Sequence, residues 1–300
     1  MTYQKLIRQL TTVYDEGEAK AIARMVFEVR YGLSLSDLLL GKEAGIPEDE
    51  LEAITQRLLQ QEPVQYVLGE TTFCGRTFHV EPGVLIPRPE TEELCHWIIA
   101  ADLHRQTRTV RNSLLSSAVH ILDIGTGSGC IACTLALDIP QAQLTAWDIS
   151  KEALNIAKGN AKALGADVTF EQVDILESWG QVHDSAASLN HTTCPRDSFD
   201  LIVSNPPYIC NKDRAMMEAN VLEYEPHTAL FVPDDDPLLF YRAIATYAQT
   251  ALKPGGSLYF EINPLYADTL YSLLRTMSYH GIEIKADQYG KQRMIKGIKM

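Results

Sequence analysis

Apolar positions in the first sixty residues recur at helical spacing. Leu6, Leu10 and Val13 form one stripe, Ala21, Met25 and Val29 a second, and Leu51, Ile54, Leu58 and Leu59 a third. Ser36 is placed to cap a short helix holding Leu38 to Leu40. Pro47 followed by Glu48, Asp49 and Glu50 suits a helix start, where proline lacks no needed N–H and acids face the positive end of the dipole. The pattern then changes. Val64, Tyr66, Val67, Phe73, Thr77, Phe78 and Val80, punctuated by Gly69, Gly75 and Gly83, predict a β-hairpin linker. The run Leu85-Ile86-Pro87-Arg88-Pro89-Glu90-Thr91-Glu92-Glu93-Leu94 opens a helix expected to reach Ile99, with Arg88 suited either to an anion in a site or to a surface ion pair. From residue 118 strand and helix patterns alternate, which implies a mostly parallel sheet covered by helices on both faces. Strands are predicted at 119–124, 144–148, 168–173, 201–204 and 257–262, with a closing antiparallel pair at 282–285 and 293–298. Residues 181–198 are polar and aperiodic and predict a surface loop. The expected organisation is a helical module over 1–62, a hairpin linker over 63–89 and an α/β domain over 90–300.

Charge and cysteine content narrow the partners. A formal net charge of −13 over 300 residues argues against a chain whose affinity rests on neutralising phosphates. Residues 1–10 lack an apolar core of signal-peptide length and no segment approaches a membrane-spanning run, so a cytoplasmic protein without membrane association is expected. Six cysteines are too sparse for a disulfide scaffold, and Cys130-Ile131-Ala132-Cys133 has redox spacing but no second pair to complete a zinc site. Small core cysteines, with no metal, are the expectation. Asp234-Asp235-Asp236 between Pro233 and Pro237 reads as a solvated turn.

The candidate chemistry centres on Phe199-Asp200-Leu201-Ile202-Val203-Ser204-Asn205-Pro206-Pro207-Tyr208, a buried strand that runs into a polar residue, two prolines and an aromatic. Consecutive prolines have no N–H and hold φ near −65°, so the loop presents acceptors in a fixed arrangement. An amide or aromatic amine has a delocalised lone pair and is a poor nucleophile. Holding its two N–H bonds with the Asn205 side-chain oxygen and the Pro206 carbonyl pulls the nitrogen toward tetrahedral geometry, and Tyr208 can stack on the flat group. The stretch resembles the Asn-Pro-Pro-Tyr motif of methyltransferases that alkylate planar nitrogens.

A second cluster reads as a cofactor site. Ile121-Leu122-Asp123-Ile124-Gly125-Thr126-Gly127-Ser128-Gly129 is a strand feeding a glycine loop, with 130–137 as the following helix, and departs from the dinucleotide spacing Gly-x-Gly-x-x-Gly. Asp148 ends the second strand, where a carboxylate can accept ribose hydroxyls; Asp174 ends the third, placed to accept from an adenine amino group while Ile175 covers the ring. Glycines, Asp148, Asp174 and Asn205 at four successive strand ends converge on one sheet edge.

Together these features resemble the class I S-adenosylmethionine-dependent methyltransferases. With 85–94, 205–208 and Val221-Leu222-Glu223-Tyr224-Glu225-Pro226, the match sharpens to the protein-(glutamine-N5) methyltransferases, especially their release-factor group, along nearly the whole chain. The resemblance implies a Rossmann-like sheet with an N-terminal helical domain and β-hairpin linker, S-adenosylmethionine as cofactor, and a release-factor glutamine as substrate. It implies cofactor contacts from Gly125, Thr126, Gly127, Ser128, Gly129, Asp148, Asp174, Ile175 and Asn205, substrate contacts from Asn205, Pro206, Pro207 and Tyr208, and catalysis by Asn205, Pro206 and Tyr208. Where family members often carry an aromatic after the third-strand acid, this chain has Ile175. The alternatives are a glutamine methyltransferase of a large-subunit ribosomal protein, an adenine amino-methyltransferase on nucleic acid, and a non-enzymatic cofactor-binding module.

Overall fold

The computed structural model describes residues 2–42, 45–109, 118–177 and 196–300, so most of the predicted 181–198 loop lies outside the described residues. By contact the chain divides into two compact units, one of 1–71, 80–82 and 216–225, the other of 72–79, 83–215 and 226–300.

The first unit is helical: α1 (Tyr3–Leu10), α2 (Glu16–Met25) continued by a π-helical turn Val26–Arg30, α3 (Leu35–Leu39), α4 (Glu48–Leu59) and α5 (Val64–Leu68). Side-chain caps start three of them. Thr2 accepts from the Lys5 N–H, Asp15 from the Glu18 N–H, and Ser34 forms a capping box with Asp37. Ser34, not Ser36, is therefore the cap of α3, and Leu39 and Leu40 are both 72% exposed. The core gathers Leu6, Leu10, Val26, Phe27, Leu51 and Leu58. The predicted stripe Ala21, Met25, Val29 is displaced by one residue: Ala21 and Val29 are exposed, while Ile22, Ala23, Val26 and Phe27 are buried. That face carries more apolar area, and the π turn after Met25 shifts its phase. Val13 lies beyond the end of α1 and is exposed. Val64 to Leu68, expected in a hairpin, forms a helix that starts behind Pro63 and stops at Gly69, whose φ of 77° no β-carbon favours. The hairpin itself is shorter, β1 (Glu70–Phe73) and β2 (Arg76–His79), turning through Cys74 and Gly75, both with positive φ.

In the second unit α6 (Pro89–Thr109) precedes β3 (Val119–Ile124), α7 (Cys130–Asp138), β4 (Ala142–Asp148), α8 (Lys151–Leu164), β5 (Val168–Gln172) and β6 (Phe199–Ser204). After two-residue strands β7 (Ile209–Cys210) and β8 (Phe231–Val232) follow a helix Leu239–Ala251, β9 (Leu252–Glu261), a helix Ala267–Thr276, and β10 (Tyr279–Ala286) with β11 (Gln292–Lys299). Helix α6 continues ten residues past the expected Ile99. Seven strands lie in the order β10-β11-β9-β6-β3-β4-β5; β9, β6, β3, β4 and β5 are mutually parallel and β11 runs antiparallel to both neighbours. Strand order reverses at β3, where β4 and β6 flank it on opposite sides, and ligands bind at such switch points. Alternation along β3 sends Ile121 to the layer of α6, α7 and α8 and Leu122 to the layer of Leu239–Ala251 and Ala267–Thr276.

Close helix packing sets the glycine loop in place. At Gly129, with φ of 80°, a β-carbon would stand 3.0 Å from Ala157 Cβ on α8. Gly129→Ala is expected to destabilise the chain by about 1–3 kcal/mol through backbone strain and overpacking, read as a lower urea midpoint at unchanged slope.

Candidate active site

The ends of β3, β4 and β6 are stitched together by their own polar groups. Ile124 and Ser204 are register partners, and the Ser204 hydroxyl donates to the Ile124 carbonyl at 2.6 Å, so Gly125 and Asn205 open adjacent loops. The N–H groups of Gly125 and Thr126 both donate to the Trp147 carbonyl, at 2.8 and 2.9 Å. Asp148 accepts from the Gly127 N–H at 2.8 Å and the Ser150 N–H at 2.9 Å. Burial pushes its carboxyl upward, opposed by those same N–H groups. Asn160, buried in the apolar stripe of α8, donates to the Ser128 and His79 carbonyls and accepts from the His79 N–H, holding the far end of the loop. A polar residue on an otherwise apolar helix stripe was its only sign in the sequence.

Asp123 lies beneath this loop, fully buried. One oxygen accepts from the Thr126 hydroxyl at 2.6 Å, and the other has no partner among the described residues. Burial, with a smaller push from Asp148, raises its carboxyl to about 7. Asp174 accepts from the Leu176 N–H at 2.8 Å. Ile175, the residue after Asp174, is 8% exposed and packs in the core cluster with Trp147 and Tyr247. Ile149, directly after Asp148, is 55% exposed.

The acceptor loop is gripped from behind. Pro206 is buried, Asn205, Pro207 and Tyr208 half-buried. The Asn205 side-chain NH2 donates to Thr91 Oγ1 at 3.2 Å, and the Thr91 hydroxyl donates to Glu261 Oε2 at 2.6 Å. The Tyr208 hydroxyl donates to the other Glu261 oxygen at 3.1 Å, and Asn263 Nδ2 to the Tyr208 carbonyl at 3.3 Å. Among the described residues no donor occupies Asn205 Oδ1 or the Pro206 carbonyl. Burial raises the Tyr208 phenol well above its ordinary range, with Glu261 adding to it, so the ring is anchored and protonated. Burial also pushes Glu261 upward, while Thr91, Tyr208 and Arg293 hold it down. The charge of Arg88 also reaches the Tyr208 phenol. Neither Thr91 nor Glu261 stood out in the sequence, although Glu261 has the same sign as Asp148, an acid closing an apolar strand.

Cys130 and Cys133 are buried free thiols raised by desolvation, Cys133 to about 12, which keeps them unreactive core groups.

The chain is similar to known proteins along nearly its whole length. A methyltransferase domain model matches residues 115–284, and a PrmC N-terminal domain model matches residues 3–69. The release factor glutamine methyltransferase of Bacteroides thetaiotaomicron is 42% identical over 96% of this chain and 96% of that protein. The chain belongs to the release factor glutamine methyltransferase family. A relative of the same name from Flavobacterium psychrophilum is 40% identical over 97% of this chain and 96% of its own length. The hMettl16 catalytic domain, crystallised with the MAT2A 3'UTR hairpin 6, shares the fold at a TM-score of 0.52 and 14% identity, covering 94% of this chain and 81% of that one. Family membership and the seven-stranded sheet make this a class I methyltransferase whose methyl donor is S-adenosylmethionine. The residues fit that donor: at Gly125 and Gly127, both with positive φ, a β-carbon would meet nothing within 4 Å, leaving a cradle open beside Asp148. No helix among the described residues is long and apolar enough to cross a membrane.

Asp123 generates a test of this electrostatic arrangement. Its carboxyl is raised when folded, so the folded chain binds the extra proton between about pH 4 and 7 and loses stability as pH rises through that window. The stability of Asp123→Asn relative to wild type is expected to improve by about 2 kcal/mol from pH 5.5 to pH 8, measured by urea unfolding at both values.

Proposed function

We propose that the chain transfers a methyl group from S-adenosylmethionine to the side-chain amide nitrogen of a glutamine in peptide chain release factors, the glutamine of their Gly-Gly-Gln motif. One observation carries the site reading: the Asn205 NH2 is taken up by Thr91, which leaves Oδ1 and the Pro206 carbonyl as two unengaged acceptors on one rigid turn. A primary amide brings two N–H donors to such a pair.

The cofactor supplies an electrophilic methyl group. Gly125, Thr126, Gly127, Ser128 and Gly129 give it close backbone approach, Asp148 accepts hydroxyls, Asp174 takes an amino group, and Ile175 borders the ring. Asn205 closes the cofactor side of the turn. Asn205 and Pro206 hold the two N–H bonds of the substrate amide, Pro207 stiffens the turn, and the Tyr208 ring, pinned through its hydroxyl, flanks the flat group. Positioning then carries much of the rate. Among the described residues bonded to the turn no side chain serves as a base: the Tyr208 phenol is held protonated, and Glu261 is committed to two hydroxyls. The amide proton leaves to water once the nitrogen carries the methyl group.

The helical unit is the recognition module for the protein substrate in this reading, and the work is cytoplasmic, beside translation. A net charge of −13 supports a protein substrate over sequence-specific binding of nucleic acid.

Asn205→Ala is expected to lower single-turnover methylation by on the order of 10²–10³, with cofactor affinity less affected. Incubation of purified release factor with labelled cofactor, followed by mass mapping of the modified residue, reads this out; near-normal transfer by the variant would contradict the role.

A further inference from the structure

The acceptor pair works only if Asn205 shows its oxygen, not its NH2, to the substrate. A carboxamide is close to symmetrical in shape, so something must choose between its two orientations. The loop's own backbone offers no such choice, because Pro206 and Pro207 have no N–H to donate to Oδ1.

We propose that Glu261 and Thr91 are positioning residues that set the orientation of the Asn205 carboxamide by a one-way chain of hydrogen bonds. The inference rests on the methyl-transfer reading of the site and deepens it. An ionised carboxylate accepts and cannot donate. Glu261 is 2% exposed, and its two oxygens receive the hydroxyls of Thr91 and Tyr208. Thr91, 3% exposed, has a single hydroxyl proton, and Glu261 takes it at 2.6 Å. Toward Asn205, Thr91 Oγ1 is left with lone pairs alone. Asn205 must therefore turn its NH2 to Thr91, as it does at 3.2 Å, and its Oδ1 outward. Burial pushes the Glu261 carboxyl upward, and the Thr91 and Tyr208 hydroxyls with the Arg293 charge oppose that push. Residues from the first turn of α6 and the end of β9 thus decide which atom a residue after β6 presents.

Removing the Thr91 hydroxyl frees the carboxamide to turn over, and a misdirected amide affects turnover rather than cofactor binding. Thr91→Val is expected to lower kcat for release-factor methylation about 10- to 100-fold. Cofactor Kd should stay within about twofold of wild type, and Thr91→Ser should restore kcat to within about threefold. Glu261→Leu should fall by a similar factor, and the double variant should lie within about threefold of the worse single one, because both act through one chain. Should Thr91→Val fail to fold by circular dichroism, Thr91→Ala compared with Thr91→Ser asks the same question. The proposal is overturned by wild-type kcat in the valine variant, by serine as impaired as valine, by a loss confined to cofactor affinity, or by losses that multiply in the double variant. Wild-type enzyme assayed alongside separates the two claims, since its failure to methylate the glutamine would refute the substrate reading instead.

Discussion

A flat NH2 group can be held on both N–H bonds only by acceptors, and a protein surface rarely offers two acceptors with no donor between them. The turn after β6 meets that condition because two successive prolines remove the N–H groups that would otherwise compete. Everything around the turn works to keep it still. Ser204 ties its strand to β3, Thr91 holds the Asn205 side chain, Glu261 the Tyr208 hydroxyl, and Asn263 the Tyr208 carbonyl. Preorganised groups of this kind need no rearrangement at the moment of reaction.

The rigidity rests on buried acids that would be liabilities elsewhere. Asp123 and Glu261 are both almost inaccessible to water, and burial raises the pKa of each. Hydroxyl donors offset that cost: Thr126 serves Asp123, and Thr91 and Tyr208 serve Glu261. Asp123 and Glu261 therefore connect stability to the site, since each accepts from a residue of the glycine loop, of the turn after β6 or of the helix start behind it. Weakening such a pair costs order in the site as well as folding energy.

Much of this was legible in the sequence where the signal is local. The glycine loop and Asn205-Pro206-Pro207-Tyr208 each follow an apolar strand directly and Asp148 closes one, and the structure sets Gly125 and Asn205 on adjoining strand ends. The strands of the sheet were placed to within a few residues, because alternation and β-branching mark them strongly. Three parts were not legible. Thr91 and Glu261 meet across 170 residues, and Asn160 and His79 across 81, so no window of sequence contains either pair. In the helical unit, Ala21, Met25 and Val29 satisfy the same spacing as the true core face, and only the packing of Phe27 and its π turn decides between them. Residues 64–68 carry strand-like composition, yet Pro63 and Gly69 bound a single helical turn.

The account depends most on which atoms of the turn meet the substrate nitrogen. A crystal structure of the chain with S-adenosylhomocysteine and a glutamine-bearing release-factor peptide measures this directly. The expected result places Asn205 Oδ1 and the Pro206 carbonyl each within about 3.2 Å of the glutamine amide nitrogen, with Thr91 still bonded to the Asn205 NH2. A glutamine nitrogen more than about 4 Å from both acceptors, or one facing the Asn205 NH2, would contradict it.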